Sequence, residues 1–175
     1  MGKITPAKPV KLIVGFIFQE SGAFLKAKSI LARRFGKIDF ESRAISFTLT
    51  DYYREEFGED LSRVFISFNR LISLEEIAKI KILCNNIERK LSSRGRRLVN
   101  IDPGYLNLAK LILVSTKDYV HRIYLDKGIY AETTLFYQGK SFREGEWTYL
   151  DFKTAEYIGI FNHIRELYAK QAKNK

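Results

Sequence analysis

The chain has 175 residues, of which 46% are hydrophobic and 14% aromatic, and its formal net charge is +10. This composition excludes a disordered chain, and we interpret residues 1–175 as one domain whose ends, 1–10 and 170–175, are flexible. The single cysteine, Cys84, excludes an intramolecular disulfide, and no apolar run has the length of a membrane span, so we expect a cytoplasmic protein without a membrane partner.

The first half of the sequence predicts strands that alternate with helices. Residues 11–18 are apolar on both faces, as in a central strand that is covered from two sides. Ser21 is a predicted N-cap for a helix over residues 22–35. Strand patterns follow at residues 43–49 and 63–69.

A capping box opens the second predicted helix, with Ser73 at the cap and Glu76 three residues later. After it, apolar residues recur at helical spacing, at Ile77, Ile80, Cys84, Ile87 and Leu91. Because Cys84 belongs to this stripe, we expect a buried thiol rather than a nucleophile. With a fourth strand placed within residues 97–115, the order of elements predicts an α+β fold with a ferredoxin-like split βαβ start.

The second half predicts additional antiparallel strands, beginning with a hairpin. Residues 121–125 and 129–137 are strand-like and flank Asp126-Lys127-Gly128, which suits a three-residue loop. Counting outwards from the loop gives the cross-strand partners, which are Leu125 with Ile129, Tyr124 with Tyr130, and Arg122 with Glu132. The Arg122–Glu132 partners predict an ion pair beside a pair of tyrosines.

The end of the chain predicts one more strand near residues 142–149 and a C-terminal helix capped by Thr154. The residues that this helix is expected to bury are Tyr157, Phe161, Ile164 and Tyr168. Gly139-Lys140-Ser141 is similar to the end of a phosphate-binding loop. However, Thr134 stands where that motif has its first glycine and no helix follows, so we interpret the segment as a hairpin turn.

The segment 100–106 reads NIDPGYL, and its Asp-Pro-Gly centre suits a type II turn. That turn does not require Asn100 or Tyr105. We therefore treat both, together with Asp102, as candidate site residues.

Polar side chains also gather at other predicted strand ends. If these segments converge, they form a pocket lined by Asp51, Tyr53, Asn100, Asp102, Tyr105, Lys117, His121 and Arg122. In that arrangement Lys117 and Arg122 hold an anion, and His121 with Asp102 forms an acid–base pair, with Asp118 or Glu132 as alternative carboxylates for His121. The alternative, a hydrogen-bond network that only joins loops to the sheet, stays open, as does the choice between an enzyme and a binding protein.

Two binding functions fit the sequence, and a third interpretation, a protein that only contacts other proteins, stays open. The first is a pocket for an anionic ligand, either nucleotide-like or phosphorylated. The second is binding of RNA or a ribonucleoprotein through a basic segment whose cations are Arg89, Lys90, Arg94, Arg96 and Arg97. The two histidines do not have the spacing of a metal site, so no metal is predicted. The sequence identifies no cofactor and gives no oligomeric state.

Five stretches, in this order along the chain, carry a family resemblance. They are TDYYREEFG at 50–58, NIDPGYL at 100–106, STKDYVHRIYL at 115–125, GIYAE at 128–132 and EWTYLDF at 146–152. The chain resembles, nearly end to end, the bacterial proteins grouped as the domain of unknown function 4416 family, although members more often have proline where this chain has Leu150. The resemblance implies no established activity, so no catalytic role is carried over from it.

Overall fold

A computed structural model describes residues 2–48 and 57–173 of the chain, and these form one antiparallel sheet of nine strands with three α-helices. The strands are β1 (Val10–Phe18), β2 (Ile38–Glu41), β3 (Ile45–Ser46), β4 (Ser62–Ile72), β5 (Val99–Leu106), β6 (Lys110–Ser115), β7 (Ile123–Asp126), β8 (Ile129–Gln138) and β9 (Ser141–Glu144). The helices are α1 (Ser21–Phe35), α2 (Ile77–Leu91) and α3 (Ala155–Lys173). The predicted α+β class, with added antiparallel strands and a C-terminal helix, is confirmed.

The strand order is β2-β4-β1-β5-β6-β8-β7, with β3 also beside β4 and β9 also beside β8. Helix α1 joins β1 to β2, and β4 lies between those two strands, so a third strand splits this strand-helix-strand unit. Helix α2 joins β4 to β5, which is the fourth strand expected within residues 97–115. The ferredoxin-like assignment of this start stays a prediction.

Strand β1 lies in the middle of the sheet because its side chains are apolar on both faces. All nine of its residues are buried, and it pairs with β4 on one side and β5 on the other. Leu12 and Val14 pack in one core with residues of α1 and α2, whereas Ile13 packs in a second core with residues of α3. The sheet is therefore the middle layer between two helical layers.

Lys11 is the charged exception in β1, and its side chain is fully buried. Its Nζ donates to the Asp39 carboxylate at 2.5 Å, to the Phe68 carbonyl at 3.0 Å and to the Gln171 side-chain oxygen at 3.0 Å. Because Gln171 belongs to α3, these contacts hold the last turns of that helix against the sheet. Helix α3 accordingly includes part of the 170–175 segment.

The expected helices form, with one shifted cap. Helix α1 begins at Ser21 itself and its N-cap is Glu20, so the predicted Ser21 cap is wrong by one residue. The capping box of Ser73 and Glu76 is confirmed, and it opens a short 3₁₀ turn that leads directly into α2. Cys84 is buried on the inner face of α2, and burial raises the pKa of its thiol to about 12, as suits a structural cysteine.

The strand predicted at residues 43–49 is much shorter than expected. Only Ile45–Ser46 pairs with β4, while the unpredicted β2 pairs with β4 further along the same edge. Strand β2 lies before the predicted segment, and residues 42–44 separate it from β3. The strand predicted at 63–69 is confirmed as β4.

The turn predicted at Asp102-Pro103-Gly104 is wrong, because all three residues lie within β5. A side chain at Gly104 would place its Cβ 2.3 Å from the Ile112 carbonyl oxygen of β6, so glycine is required by the close approach of a neighbouring backbone. Pairing between β5 and β6 begins at Gly104. Pro103 therefore stands where β5 has no second neighbour, which is where a strand tolerates proline.

The predicted hairpin is confirmed in part. Tyr124 faces Tyr130, and their rings are 5.4 Å apart. The expected Leu125–Ile129 register is wrong, because the register shifts after Tyr124 and Asp126 faces Ile129 instead. The loop is consequently only Lys127 and Gly128, both in the left-handed region with φ of 51° and 76°.

The remaining strand and helix follow the expected order. Gly139 and Lys140 both have positive φ and form the predicted hairpin turn between β8 and β9, although β9 is shorter than the strand predicted at 142–149. Thr154 accepts a hydrogen bond from the Tyr157 amide at 3.3 Å, and the predicted inner face of α3 is buried. None of the helices within 2–48 and 57–173 has the length and apolar composition needed to span a bilayer.

Candidate functional site

The sheet forks between β5 and β6, and a cavity of about 680 Å³ lies at the fork. These strands pair only from Gly104 to Leu106. Before that point β5 pairs with β1 alone, and at its other end β6 pairs with β8 alone. Both diverging strands line the cavity, together with α2 from one helical layer and residues 146–151 from the layer of α3. Elements from both helical layers therefore contribute residues to the cavity.

Asp102 of β5 stands at the centre of the charged part of this cavity. Its carboxylate lies 3.4 Å from Lys81 Nζ and 3.6 Å from Arg63 Nη1, and it accepts a hydrogen bond of 2.6 Å from the Asn100 side chain. Arg63 also pairs with Asp151 at 3.2 Å. Asp102 thus connects β5 with α2 and β4, and Arg63 extends the network through Asp151 to the segment before α3.

Glu88 of α2 forms a second buried contact beside Asp102. One carboxylate oxygen accepts the Ile101 amide at 2.6 Å, and the other lies 3.1 Å from Arg97. Burial raises the pKa of Glu88, and the nearby Lys81 opposes that rise. Burial likewise raises the pKa of Asp151, with Arg63 as the main opposing charge. Both carboxyl groups therefore keep a proton to higher pH than an exposed carboxyl would.

Glu132 of β8 organises the other side of the cavity. Its carboxylate lies 2.7 Å from Arg122 Nε and 3.0 Å from the His121 ring. The predicted Arg122–Glu132 ion pair is therefore confirmed. Arg122 also donates to the Ser115 hydroxyl at 3.1 Å and to the Lys117 carbonyl at 2.9 Å, and it binds the Tyr149 hydroxyl. This network fixes the loop between β6 and β7.

Three aromatic residues that line the cavity are exposed, and we call Tyr119, Trp147 and Tyr149 the aromatic rim. His121 stacks on Trp147 with ring centres 5.2 Å apart and an interplanar angle of 5°. Arg122 lies over the Tyr119 ring at 4.5 Å. The rim is thus held in place by the same side chains that bind Glu132.

Charge in the cavity is balanced, unlike the charge of the whole chain. The described lining residues include five cations, which are Arg63, Lys81, Arg97, Lys117 and Arg122. They also include five carboxylates, which are Glu88, Asp102, Glu132, Glu146 and Asp151. The cavity therefore presents both donors and acceptors at fixed positions. Within the described residues, no group of three or more His, Cys, Asp and Glu side chains is arranged to hold a metal ion.

The structure brings half of the predicted pocket residues together. The members that line the cavity are Asn100, Asp102, Lys117 and Arg122. Tyr105 instead packs against the core beneath α1 and α2, and burial raises its pKa. Asp51 and Tyr53 lie outside the described residues.

The predicted pairing of His121 with Asp102 is not found. His121 contacts Glu132, whereas the described contacts of Asp102 are with Asn100, Lys81 and Arg63. His121 stacks on Trp147 and does not itself line the cavity. The catalytic roles assigned to His121 and Asp102 stay predictions.

The basic segment proposed for RNA binding divides into two parts. After α2 ends, Arg94 and Gly95 form a tight turn in the left-handed region. The exposed cations of the segment are Arg89, Lys90, Arg94 and Arg96. Arg97 instead turns into the cavity and donates to the Asn100 side chain at 2.9 Å.

Several central residues escaped the sequence analysis. Lys81 and Glu88 each follow a buried residue of the α2 stripe by four positions, so they extend that stripe with charge. Charged residues that continue an apolar face were a usable signal for a buried polar site. Arg63 carried a weaker signal, because a single arginine at the start of a strand is usually solvated. Trp147 and Asp151 lie in the stretch EWTYLDF, which contributed only to the family resemblance.

Of three comparisons with known proteins, one finds a match. No curated protein and no solved structure matches the chain. The family model described as a domain of unknown function (DUF4416) matches residues 8–168, which is nearly the whole sequence. The family resemblance carried by the five separated stretches is therefore confirmed. The chain belongs to the DUF4416 family.

Proposed function

We propose that this protein binds a small anionic ligand, nucleotide-like or phosphorylated, in the cavity at the fork of the sheet. The supporting observation is the convergence of cations from separate parts of the chain on one cavity. Arg63 comes from β4, Lys81 from α2, and Lys117 from the connection between β6 and β7. Cations that meet from distant parts of a chain are a common way to hold phosphate or carboxylate.

The existing contacts indicate where the anionic group binds. The inner cations Arg63, Lys81 and Arg97 already contact carboxylates, so an anion there would compete with Asp102 or Glu88. Lys117 also lines the cavity and is exposed, so a ligand phosphate can reach it from solvent. The inner carboxylates would then accept hydrogen bonds from ligand hydroxyl or amino groups.

Binding is the core of the proposal, and catalysis is not required by it. Should a reaction take place, Glu88 and Asp151 are the better proton donors, because burial raises the pKa of both. His121 contacts Glu132 behind the rim, so it does not enter the proposed binding step.

A thermal-shift screen tests the proposal with inorganic phosphate, sugar phosphates and nucleoside monophosphates at two salt concentrations. A ligand at ~100 times its Kd stabilises the folded form by about 2.7 kcal/mol, which raises Tm by roughly 5 to 10 °C for a chain of this size. The variant Lys117→Glu should lose most of that increase. Lys26→Glu, on the exposed face of α1, makes the same charge change away from the cavity and should keep it.

Two outcomes would contradict the proposal. One is that no compound in the screen raises Tm at either salt concentration. The other is that Lys117→Glu and Lys26→Glu reduce the shift equally, since the effect would then come from net charge rather than from the cavity.

RNA binding is the second candidate function, and the exposed cations at the end of α2 favour it. Arg89, Lys90, Arg94 and Arg96 lie within one short stretch with their side chains exposed. RNA affinity should fall by about tenfold or more between low and physiological salt, because phosphate contacts release counterions. Lys117→Glu and Lys26→Glu should change RNA affinity equally. Binding in the cavity would instead be weakened more by Lys117→Glu.

A further inference from the structure

We propose that the ligand carries a planar ring that stacks on Trp147, so that its class is a ring-bearing phosphate such as a nucleoside monophosphate rather than a sugar phosphate. This inference rests on the proposed function and refines it. The cavity has a charged interior and an aromatic rim, which suits a ligand with a polar part and a flat part.

The position of Trp147 is the first observation. The side chain is 54% exposed although it lines the cavity and stacks on His121. His121 packs on one face of the indole and does not line the cavity, so in this proposal the ligand ring occupies the other face. An indole that is supported on one face is a suitable platform for a flat ring on the other.

The rigidity of this platform is the second observation. His121 is fixed by Glu132 at 3.0 Å, and Glu132 is in turn fixed by Arg122 at 2.7 Å. A ring that stacks on Trp147 therefore meets a surface that is already ordered. Pre-ordering of this kind lowers the entropic cost of binding.

The segment that carries Trp147 is anchored by a neighbouring residue. The neighbouring Thr148 anchors this segment, since its hydroxyl donates to the Thr134 carbonyl at 2.6 Å and accepts the Gly145 amide at 2.8 Å. Thr148 is buried, whereas Trp147 is an exposed residue, so Thr148 is the buried anchor of this segment and the indole stays accessible to a ligand.

The other rim residues extend the platform. Tyr119 is 50% exposed and its ring is held beneath Arg122 at 4.5 Å. Lys117 lies two residues before Tyr119 in the same loop. A ligand that stacks on Trp147 would thus find a further aromatic surface and a cation for its phosphate in the same cavity.

The experiment compares adenosine monophosphate, uridine monophosphate and ribose 5-phosphate by calorimetry and by intrinsic fluorescence. Trp147 is the only tryptophan in the chain, so emission excited at the red edge of the absorption band, where the ten tyrosines absorb little, reports on this side chain. At least one nucleotide should bind about fivefold or more tightly than ribose 5-phosphate, as expected for one stacked base, and should quench the emission. Trp147→Ala should reduce nucleotide affinity to that of ribose 5-phosphate without changing the affinity for the latter.

Tyr124→Ala is the matched control, because Tyr124 is an exposed aromatic residue that does not line the cavity. It should leave both affinities unchanged. Equal affinity for ribose 5-phosphate and both nucleotides would overturn the ring platform while leaving the proposed function intact. Failure of all three phosphates, together with inorganic phosphate, to bind would overturn both.

Discussion

Lys11 and Asp102 each lie at the centre of a buried cluster of charge in the same sheet, but the cavity borders only the cluster around Asp102. The ammonium of Lys11 is fully buried, and its three donors meet three acceptors, which are the Asp39 carboxylate, the Phe68 carbonyl and the Gln171 side chain. The Asp102 side chain is 26% exposed and lines the cavity, so a ligand can reach it.

The difference shows that buried charge alone does not mark a binding site. An ammonium with all three donors satisfied has no capacity left for a ligand, so the Lys11 cluster is structural. The cluster around Asp102 keeps access to solvent through the fork. Access, rather than charge, is what makes it a candidate site, and substitutions in the two clusters should therefore have different costs.

The largest effect is expected for Lys11→Met. The change removes the cation from the partly buried Asp39 carboxylate, which among the described residues keeps only the Ser67 hydroxyl, and from the Phe68 carbonyl. Breaking a buried pair in this way should lower the free energy of unfolding by about 3 kcal/mol, as measured by urea denaturation. Lys28→Met is the matched control, because Lys28 forms a solvent-accessible pair with Glu41 and should cost less than about 1 kcal/mol. Similar costs for the two variants would remove the argument for a closed cluster.

A smaller effect is expected for Asp102→Asn. The substitution weakens the contacts to Lys81 and Arg63, yet Arg63 keeps Asp151, Lys81 keeps the Ile101 carbonyl, and water can enter from the cavity. We expect a loss of about 1 to 2 kcal/mol in the free energy of unfolding. Asp118→Asn, the same change at an exposed position, should have almost no effect. A loss as large as that of Lys11→Met would show that the Asp102 cluster is as closed as the other.

The smallest effect is expected in the pH dependence of stability. Because burial raises the pKa of Glu88 above its ordinary 4.5, the folded protein binds this proton more tightly than the unfolded chain. The contribution of Glu88 is therefore fully present below pH 4.5 and is lost as pH rises through the folded-state pKa. Glu88→Gln should remove that loss. The free energies of unfolding of the variant and the parent protein should therefore differ less at low pH than at neutral pH. An unchanged pH profile would contradict it.

Lys11 should respond in the opposite pH range, which sharpens the comparison. Burial lowers the pKa of its ammonium below 10.5, and the contact with Asp39 opposes that change. Its contribution is present above pH 10.5 and is lost as pH falls through the folded-state pKa. The two clusters therefore affect the free energy of unfolding at opposite ends of the pH range.

Much of the fold could be predicted because its signals are local. The stripe of α2 depends on residues three and four positions apart, and the contact of Arg122 with Glu132 follows from counting out of a short loop. The Asp-Pro-Gly turn failed for the opposite reason. Gly104 is required by the Ile112 carbonyl of β6, a neighbour that is close only after the sheet has formed.

The candidate site could be predicted only where polar residues gather at strand ends. Asn100, Asp102 and Arg122 were found in this way, and they line the cavity. Arg63 and Lys81 could not be found so easily, because they reach Asp102 from a different strand and a helix. The fork itself has no sequence signature that we recognise beyond the proline and glycine of β5.

Three residue pairs, from Gly104 to Leu106 opposite Leu111 to Leu113, make up the ladder between β5 and β6. They join the portion of the described sheet built on β1 to the portion built on β8. A ligand in the fork would contact both strands where their hydrogen-bonded ladder has ended, and would connect the two portions of the sheet reversibly. Occupancy and the lateral stiffness of the sheet would then change together.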